Sequence, residues 1–156
     1  MSQPGGRIDP FLIAPELWFA VLCEQVDADA AKRLTLTRVF SRIHTMTPPG
    51  WEGSPFAGLR AVLAAGFAGG VGEFEVDIEL RDVDERVLWQ RNNPWVFRVG
   101  PGTSSGAMFA EQVEYFFRDL GNYYFVLRLR PPGLEYRVRL EVAPAVAGPN
   151  SEESAR

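Results

Sequence analysis

The stretch that most constrains this chain is Glu73 to Asp82, E-F-E-V-D-I-E-L-R-D. Phe74, Val76, Ile78 and Leu80 alternate strictly with Glu73, Glu75, Asp77, Glu79 and Arg81. Successive side chains of a strand point to opposite faces, so this pattern describes a strand with one dry face and one wet face. Such a strand requires a sheet whose apolar face is covered, and the flanking segments read as its partners.

The chain has 156 residues, which fits one domain with enough length for a hydrophobic core. A net charge of -4 argues against a partner held by phosphate neutralisation, so no nucleic acid is expected. With the single cysteine, Cys23, no intramolecular disulfide can form, which fits a reducing compartment. Phe11 to Cys23 is apolar but is broken by Pro15 and Glu16. It is shorter than the roughly 20 residues a membrane-spanning helix needs, and it has neither the flanks nor the cleavage site of a secretory signal. The expectation is a cytoplasmic protein with no membrane contact.

In chain order, residues 1–15 form a loose arm from which Phe11, Leu12 and Ile13 can pack along the core. Glu16 to Val26 is apolar at both parities and suits a strand buried on both sides or a short buried helix; the strand is preferred because a turn signal and a second β-rich run follow. It is joined through Asp27 to Lys32 to an alternating strand, Arg33 to Ile43, and the two form a hairpin. In the second strand Leu34 and Leu36 set one parity, while Val39 and Ile43 compete with Phe40. A β-bulge near Arg38 would account for that slip. Thr45 to Gly58 is a long loop rich in proline and glycine, with Trp51 and Phe56 placed to cover an open end of the core.

Leu59 to Gly70 has small and apolar residues at both parities; its alanine-rich part also fits a helix, but a central strand with close neighbours on both faces is preferred, and Gly69-Gly70 then turns into the Glu73 strand. Val83 to Arg86 is a tight acidic turn. Strands follow at Val87 to Gln90 and Trp95 to Val99, then a flexible loop at Gly100 to Gly106. Residues 107–120 fit two readings. Phe109, Val113, Phe116, Phe117 and Leu120 fall at helical spacing, with Ser105 as a cap and Gly121 as a stop. As a strand, the segment sets Val113, Tyr115 and Phe117 on one face. The strand is preferred because its surroundings are β. Asn122 to Arg130 and Leu134 to Val142 form a hairpin around Pro131-Pro132-Gly133, with one apolar and one basic face. After Ala143 the composition turns to alanine, proline, glycine and serine, so residues 144–156 are expected to be a disordered tail.

The expected fold class is therefore all-β: a single-domain antiparallel β-sandwich of about eight or nine strands over residues 16–143, with one short helix near 107–120 as the variant.

The hairpin C-E-Q-V-D-A-D-A-A-K-R-L-T-L-T-R-V-F-S-R-I resembles a family of small bacterial all-β proteins, a domain of unknown function. In that family a strand ends in an acidic turn, followed by a lysine and a strand reading roughly L-T-L-x-x-x-F. Arg118 to Tyr123 is similar to its Gly-x-Tyr turn and final hairpin. The resemblance spans about Leu17 to Val142. It implies a β-sandwich, supplies no catalytic residues, and meets a departure at Thr37-Arg38, where a glycine is usual, and in the longer Trp51 loop.

No stretch of the sequence gathers chemistry. The acidic row Glu73, Glu75, Asp77 and Glu79 could attract calcium, but a flat strand face does not make ligands converge. Pairing across strands with Arg128, Arg130, Arg137 and Arg139 is the better reading. The acidic turns at Asp27 to Asp29 and Asp82 to Glu85 can converge, yet acidic turns are common. Cys23 with His44 is a conceivable thiol–base pair, but Cys23 sits mid-strand and reads as a small buried side chain. Gly100 to Gly106 lacks the lysine and context of a phosphate loop. No metal, no cofactor and no enzymatic activity are expected.

The aromatic excess points elsewhere. Trp51, Trp89, Trp95, Tyr115, Phe116, Tyr123 and Tyr124, with Trp18 and Phe117, exceed what one inward face per strand requires. Outer-face aromatics need cover, and large exposed apolar patches mark interfaces. The expected function is association with a protein partner or as a homo-oligomer, with a small-ligand or carbohydrate module using the loop tryptophans as the alternative.

Overall fold

The computed structural model describes residues 12–102 and 106–145. Phe11 and the rest of 1–11, Ser105 with its loop neighbours, and the segment 146–156 lie outside the described residues.

Among the described residues there are ten strands and no helix: Glu16–Ala28 (β1), Leu34–Phe40 (β2), Arg42–His44 (β3), Ala57–Ala68 (β4), Gly72–Arg81 (β5), Val87–Gln90 (β6), Trp95–Val99 (β7), Ala107–Phe117 (β8), Gly121–Arg130 (β9) and Leu134–Ala143 (β10). The segment that reads as helix or strand is the strand β8. The chain is thus all-β, with two sheets. One has four strands in the order β2-β1-β4-β8; the other runs β3-β10-β9-β5-β6. The free side of β5 is shared, with β7 along Gly72 to Val76 and β6 along Glu79 to Arg81.

The organising strand behaves as its pattern requires. Phe74, Val76, Ile78 and Leu80 are buried, and β5 pairs antiparallel with β9 from Glu75–Arg130 to Arg81–Tyr124. Strand β4 is different in kind. Leu59, Leu63 and Phe67 face the core cluster, while Gly58, Val62, Ala64 and Gly66 occupy the opposite face. A strand in the middle of a sheet with small residues on one side lets neighbours and their side chains approach closely.

The core cluster draws on both sheets. Phe67 on β4 lies 5.7 Å from Phe97 and 6.1 Å from Tyr136, and Phe117 on β8 lies 4.4 Å from Tyr123 on β9. Trp95 on β7 lies 4.6 Å from Phe109 on β8. These offset and edge-on pairs add a directional term to plain burial. From the N-terminal arm, Leu12 packs on the cluster, and Ile13 exchanges two backbone hydrogen bonds with Val71.

Three expectations change. The β-bulge near Arg38 is absent: the β1–β2 register does not shift from Ala28–Leu34 to Leu22–Phe40, although the ladder skips Glu24–Arg38, where Arg38 is held at φ 52°. The parity slip has another cause. β2 belongs to the four-stranded sheet, whereas β3 pairs with β10, so the chain crosses between sheets at Ser41. The parity that faces the core therefore changes between Phe40 and Ile43, both of which are half-buried against the core cluster. That crossing splits one expected strand into two, giving ten. The third change concerns direction: the β3–β10 pair is parallel.

Tyr123 closes the turn after β8. Its hydroxyl donates to the Asp119 carbonyl oxygen at 2.8 Å, a ring from the strand tying back to the backbone that precedes it. This is the geometry of a tyrosine corner. Tyr123→Phe should lower unfolding free energy by about 1 kcal/mol, the net worth of one such bond, with no change in far-ultraviolet circular dichroism. Urea unfolding measures it; an unchanged midpoint would contradict the role.

Candidate interaction surface

The structure separates the seven aromatics singled out in the sequence. Trp89 packs edge-on to Phe125 at 6.5 Å, Trp95 lies between Phe97 and Phe109, and Tyr115 leans on Phe117 at 4.8 Å. Tyr123 is buried, and burial raises its hydroxyl pKa above the ordinary tyrosine value. Tyr124 lies on the opposite side of β9, with the Arg137 guanidinium 5.7 Å from its ring centre. Tyr115 and Tyr123 meet through Phe117 within the core, while Trp51 and Phe116 are brought together at the surface by Phe56. Its ring is 5.3 Å from Trp51 and 5.7 Å from Phe116. Together they line an open groove of about 730 Å³, with Arg118 and Asp119 beside it. The Trp51 indole is fixed by donating to the Ser54 carbonyl oxygen at 3.0 Å.

Phe116 also begins a larger surface. Residues paired across neighbouring strands share a face, so the register defines what lies on the side of the four-stranded sheet away from the core. Phe116 stands beside Gly58, then Glu114 beside Arg60. The next row is Val39, Cys23, Val62 and Gln112; the next is Val21, Ala64 and Ala110; the last is Phe19, Gly66 and Met108. The last three rows contain no charged side chain. Phe116 is 69% exposed, Val39 55% and Met108 45%. Trp18, in the irregularity between Leu17 and Phe19, is 71% exposed.

The glycines of β4 are roofed at both ends of this face. A Cβ at Gly58 would lie 3.5 Å from the Phe116 ring, and one at Gly66 would come 2.5 Å from the Phe19 ring and 3.3 Å from Met108. Cys23 and Ala64, in the middle, have no exposed surface, although neither belongs to the core cluster. Val21, Val62 and their neighbours cover them. This burial raises the Cys23 thiol pKa, and its Sγ donates to the Val62 carbonyl oxygen at 3.6 Å. His44 is on β3 in the other sheet and bonds the Pro144 carbonyl oxygen at 2.9 Å.

The corresponding side of the six-stranded sheet is charged. Glu73 meets Arg98 at 2.6 Å, and Arg130 bridges Glu75 at 3.0 Å and Asp77 at 2.7 Å. Glu73, Glu75 and Asp77 are therefore paired across strands, with Arg98 as a partner the pattern did not suggest, whereas Glu79 pairs with Arg81 on its own strand. The remaining arginines go elsewhere. Arg128 holds Glu135 at 2.5 Å, Arg137 holds Glu85 at 2.6 Å, and Arg139 donates to Asn122. Arg81 joins Glu79, Glu85 and Glu135. Beneath this layer Val126 is 1% exposed. The face predicted as basic is thus a mixed network.

The two acidic turns share one construction. In Asp29–Arg33 and in Asp82–Arg86, the aspartate Oδ1 accepts from the amides two and four residues on. The residue before the arginine has positive φ, Lys32 at 59° and Glu85 at 63°. The carboxylates thus serve their own turns. Among the described residues no group of three or more His, Cys, Asp or Glu side chains could hold a metal ion, and no buried side-chain nitrogen or oxygen lacks a hydrogen-bond partner. No helix among them is long and apolar enough to cross a membrane. No protein-family model matches the chain, and no curated protein matches it.

The network predicts an acid response. Hydrogen bonds from Arg137, and then Arg81, hold the Glu85 pKa below its ordinary value; Arg128 does the same for Glu135, and the Arg33 amide and side chain for Asp29. Each folded carboxyl lies below its unfolded value, so its stabilisation is whole above the unfolded pKa and drains as pH falls through the folded one. The melting temperature should hold near neutrality and fall below the carboxylate range. Glu85→Gln with Glu135→Gln should melt lower at neutral pH and fall less steeply in acid. Parallel pH curves for the two proteins would contradict this.

Proposed function

We propose that this chain is a non-catalytic β-sandwich, residues 16–143 with a tail at 144–156, that works by protein association in the cytoplasm. The contact of Phe67, Phe97, Tyr136, Phe117 and Tyr123 across the two sheets supports the sandwich. The observation that carries the functional reading is the difference between the two outer faces. One is a paired ionic layer, the other three uncharged rows with large apolar side chains left in solvent. Exposed apolar patches of this extent mark protein contacts. Residues that elsewhere would carry chemistry are engaged: the turn aspartates in their turns, the acidic row with arginines, Cys23 beneath its neighbours.

One observation favours a second reading. Trp51 remains half exposed above the groove shared with Phe56 and Phe116, an aromatic surface on which a sugar ring could stack, with Arg118 and Asp119 within the lining for hydroxyl groups. In that case Trp51 fluorescence shifts saturably on titration with glycans.

Affinity capture from host lysate compares the chain with its Met108→Glu variant. A protein held by the first and at least tenfold depleted on the second is the expected result. Identical captures, together with a saturable glycan response that Trp51→Ala abolishes, would move the function to the groove.

A further inference from the structure

We infer that the outer face of the four-stranded sheet is covered by a second copy of this chain, stacked sheet on sheet about a two-fold axis near Val62 and Ala64. The inference rests on the association reading above and names its partner. Size is the first argument. β1, β4, β8 and β2 run 13, 12, 11 and 7 residues. At about 3.3 Å per residue and about 4.8 Å between strands, their face projects about 700 Å². That approaches the roughly 800 Å² per partner of a standard specific interface.

Charge is the second. The three apolar rows carry no charge; the row beyond Val62 holds Arg60 and Glu114, which neutralise each other at 3.3 Å, and the row beyond Gly66 holds Glu16 beside Ala68. The dense ionic network lies on the opposite sheet. Two acidic copies can therefore meet over the three rows themselves without like charges opposing there, whereas a strongly charged partner finds nothing in those rows to select it.

Shape is the third. The middle of the face is small, with Cys23, Ala64 and Ala110, and the ends are bulky, with Phe116 over Gly58 and with Phe19 and Met108 over Gly66. A half-turn about an axis crossing the strands exchanges the two ends. Phe116 of one copy then meets the Met108 end of its mate, a ring against a thioether. Edge-to-edge pairing is disfavoured at β8, where Glu111 shares the side of Phe109 and Val113 and pairs with Arg91 at 3.0 Å. An inward-pointing charge on an edge strand is a recognised block to strand addition.

Light scattering after size-exclusion tests it with three proteins. The unaltered chain should elute at twice its monomer mass. Val39→Glu with Met108→Glu, both exposed positions, should give the monomer mass with unchanged far-ultraviolet circular dichroism. Val96→Glu, exposed on the ionic side beside Glu75, should remain dimeric. A monomeric unaltered chain overturns the inference, whether its own end segments or another protein then cover the face; so does a dimer that survives the double substitution. Lysate capture separates this from the broader reading. A monomer that still captures a different protein through Met108 loses the second copy but keeps association, and a monomer that captures nothing loses both.

Discussion

Strand β4 is dry on its core side and only partly covered on the other, and the rest of the molecule is arranged around that constraint. Its core-facing residues run from Ala57 through Leu59 and Leu63 to Phe67, and they meet the apolar face of the sheet built on β5 and β9. Its other face carries almost nothing but small residues and valine, so rings from β1 and β8 fold inward over its two glycines. A central strand of this composition cannot be wetted on either side without leaving aliphatic surface in water, at about 25 cal/mol for each Å². One side packs into a core cluster that draws on both sheets. Exposed Phe116, Met108 and Val39 show that the other is covered only in part within one chain.

The two outer faces solve the same problem differently. On the six-stranded sheet, long side chains lie over the strands, and their aliphatic stems cover Val126 while their charges pair in the plane above. Individually such exposed pairs contribute little; the connected arrangement of Arg81 with Glu79, Glu85 and Glu135 also fixes the turn before β6 against the β9–β10 hairpin. On the four-stranded sheet the outward side chains roof the β4 glycines but leave Phe116, Met108 and Val39 themselves exposed. What that surface offers is area.

Much of this architecture is legible in the sequence because alternation reports which side of a strand is wet. Phe74 to Leu80 follow their parity residue by residue, and the two strands around Pro131 to Gly133 do so except at Val126, buried on the ionic side, and Leu134, exposed at the strand start. Alternation does not report where a chain leaves one sheet for the other, and so the crossing at Ser41 looks like a bulge near Arg38. It does not report direction either, since a three-residue parallel pair such as β3–β10 has no pattern of its own. The turn at Asp29 was open to inspection in the spacing D-x-x-x-R, which recurs at Asp82. For the surface, Trp51 and Phe116 were legible as aromatics in excess. Trp89, Trp95 and Tyr123 were not separable from them, because the rings that enclose them, Phe125, Phe109 and Phe117, come from other strands. An apolar run at both parities, as in β1 and β4, says that both faces are dry without saying what dries the second.

The measurement that reaches this point most directly is methyl spectroscopy with a soluble nitroxide in the solvent. If a second copy covers the four-stranded sheet, the methyl signals of Val39 and Met108 survive the probe while those of Val96, equally exposed within one chain, are bleached. On dilution below the dissociation constant the protection of Val39 and Met108 disappears. Equal bleaching of all three residues at high concentration would contradict the account.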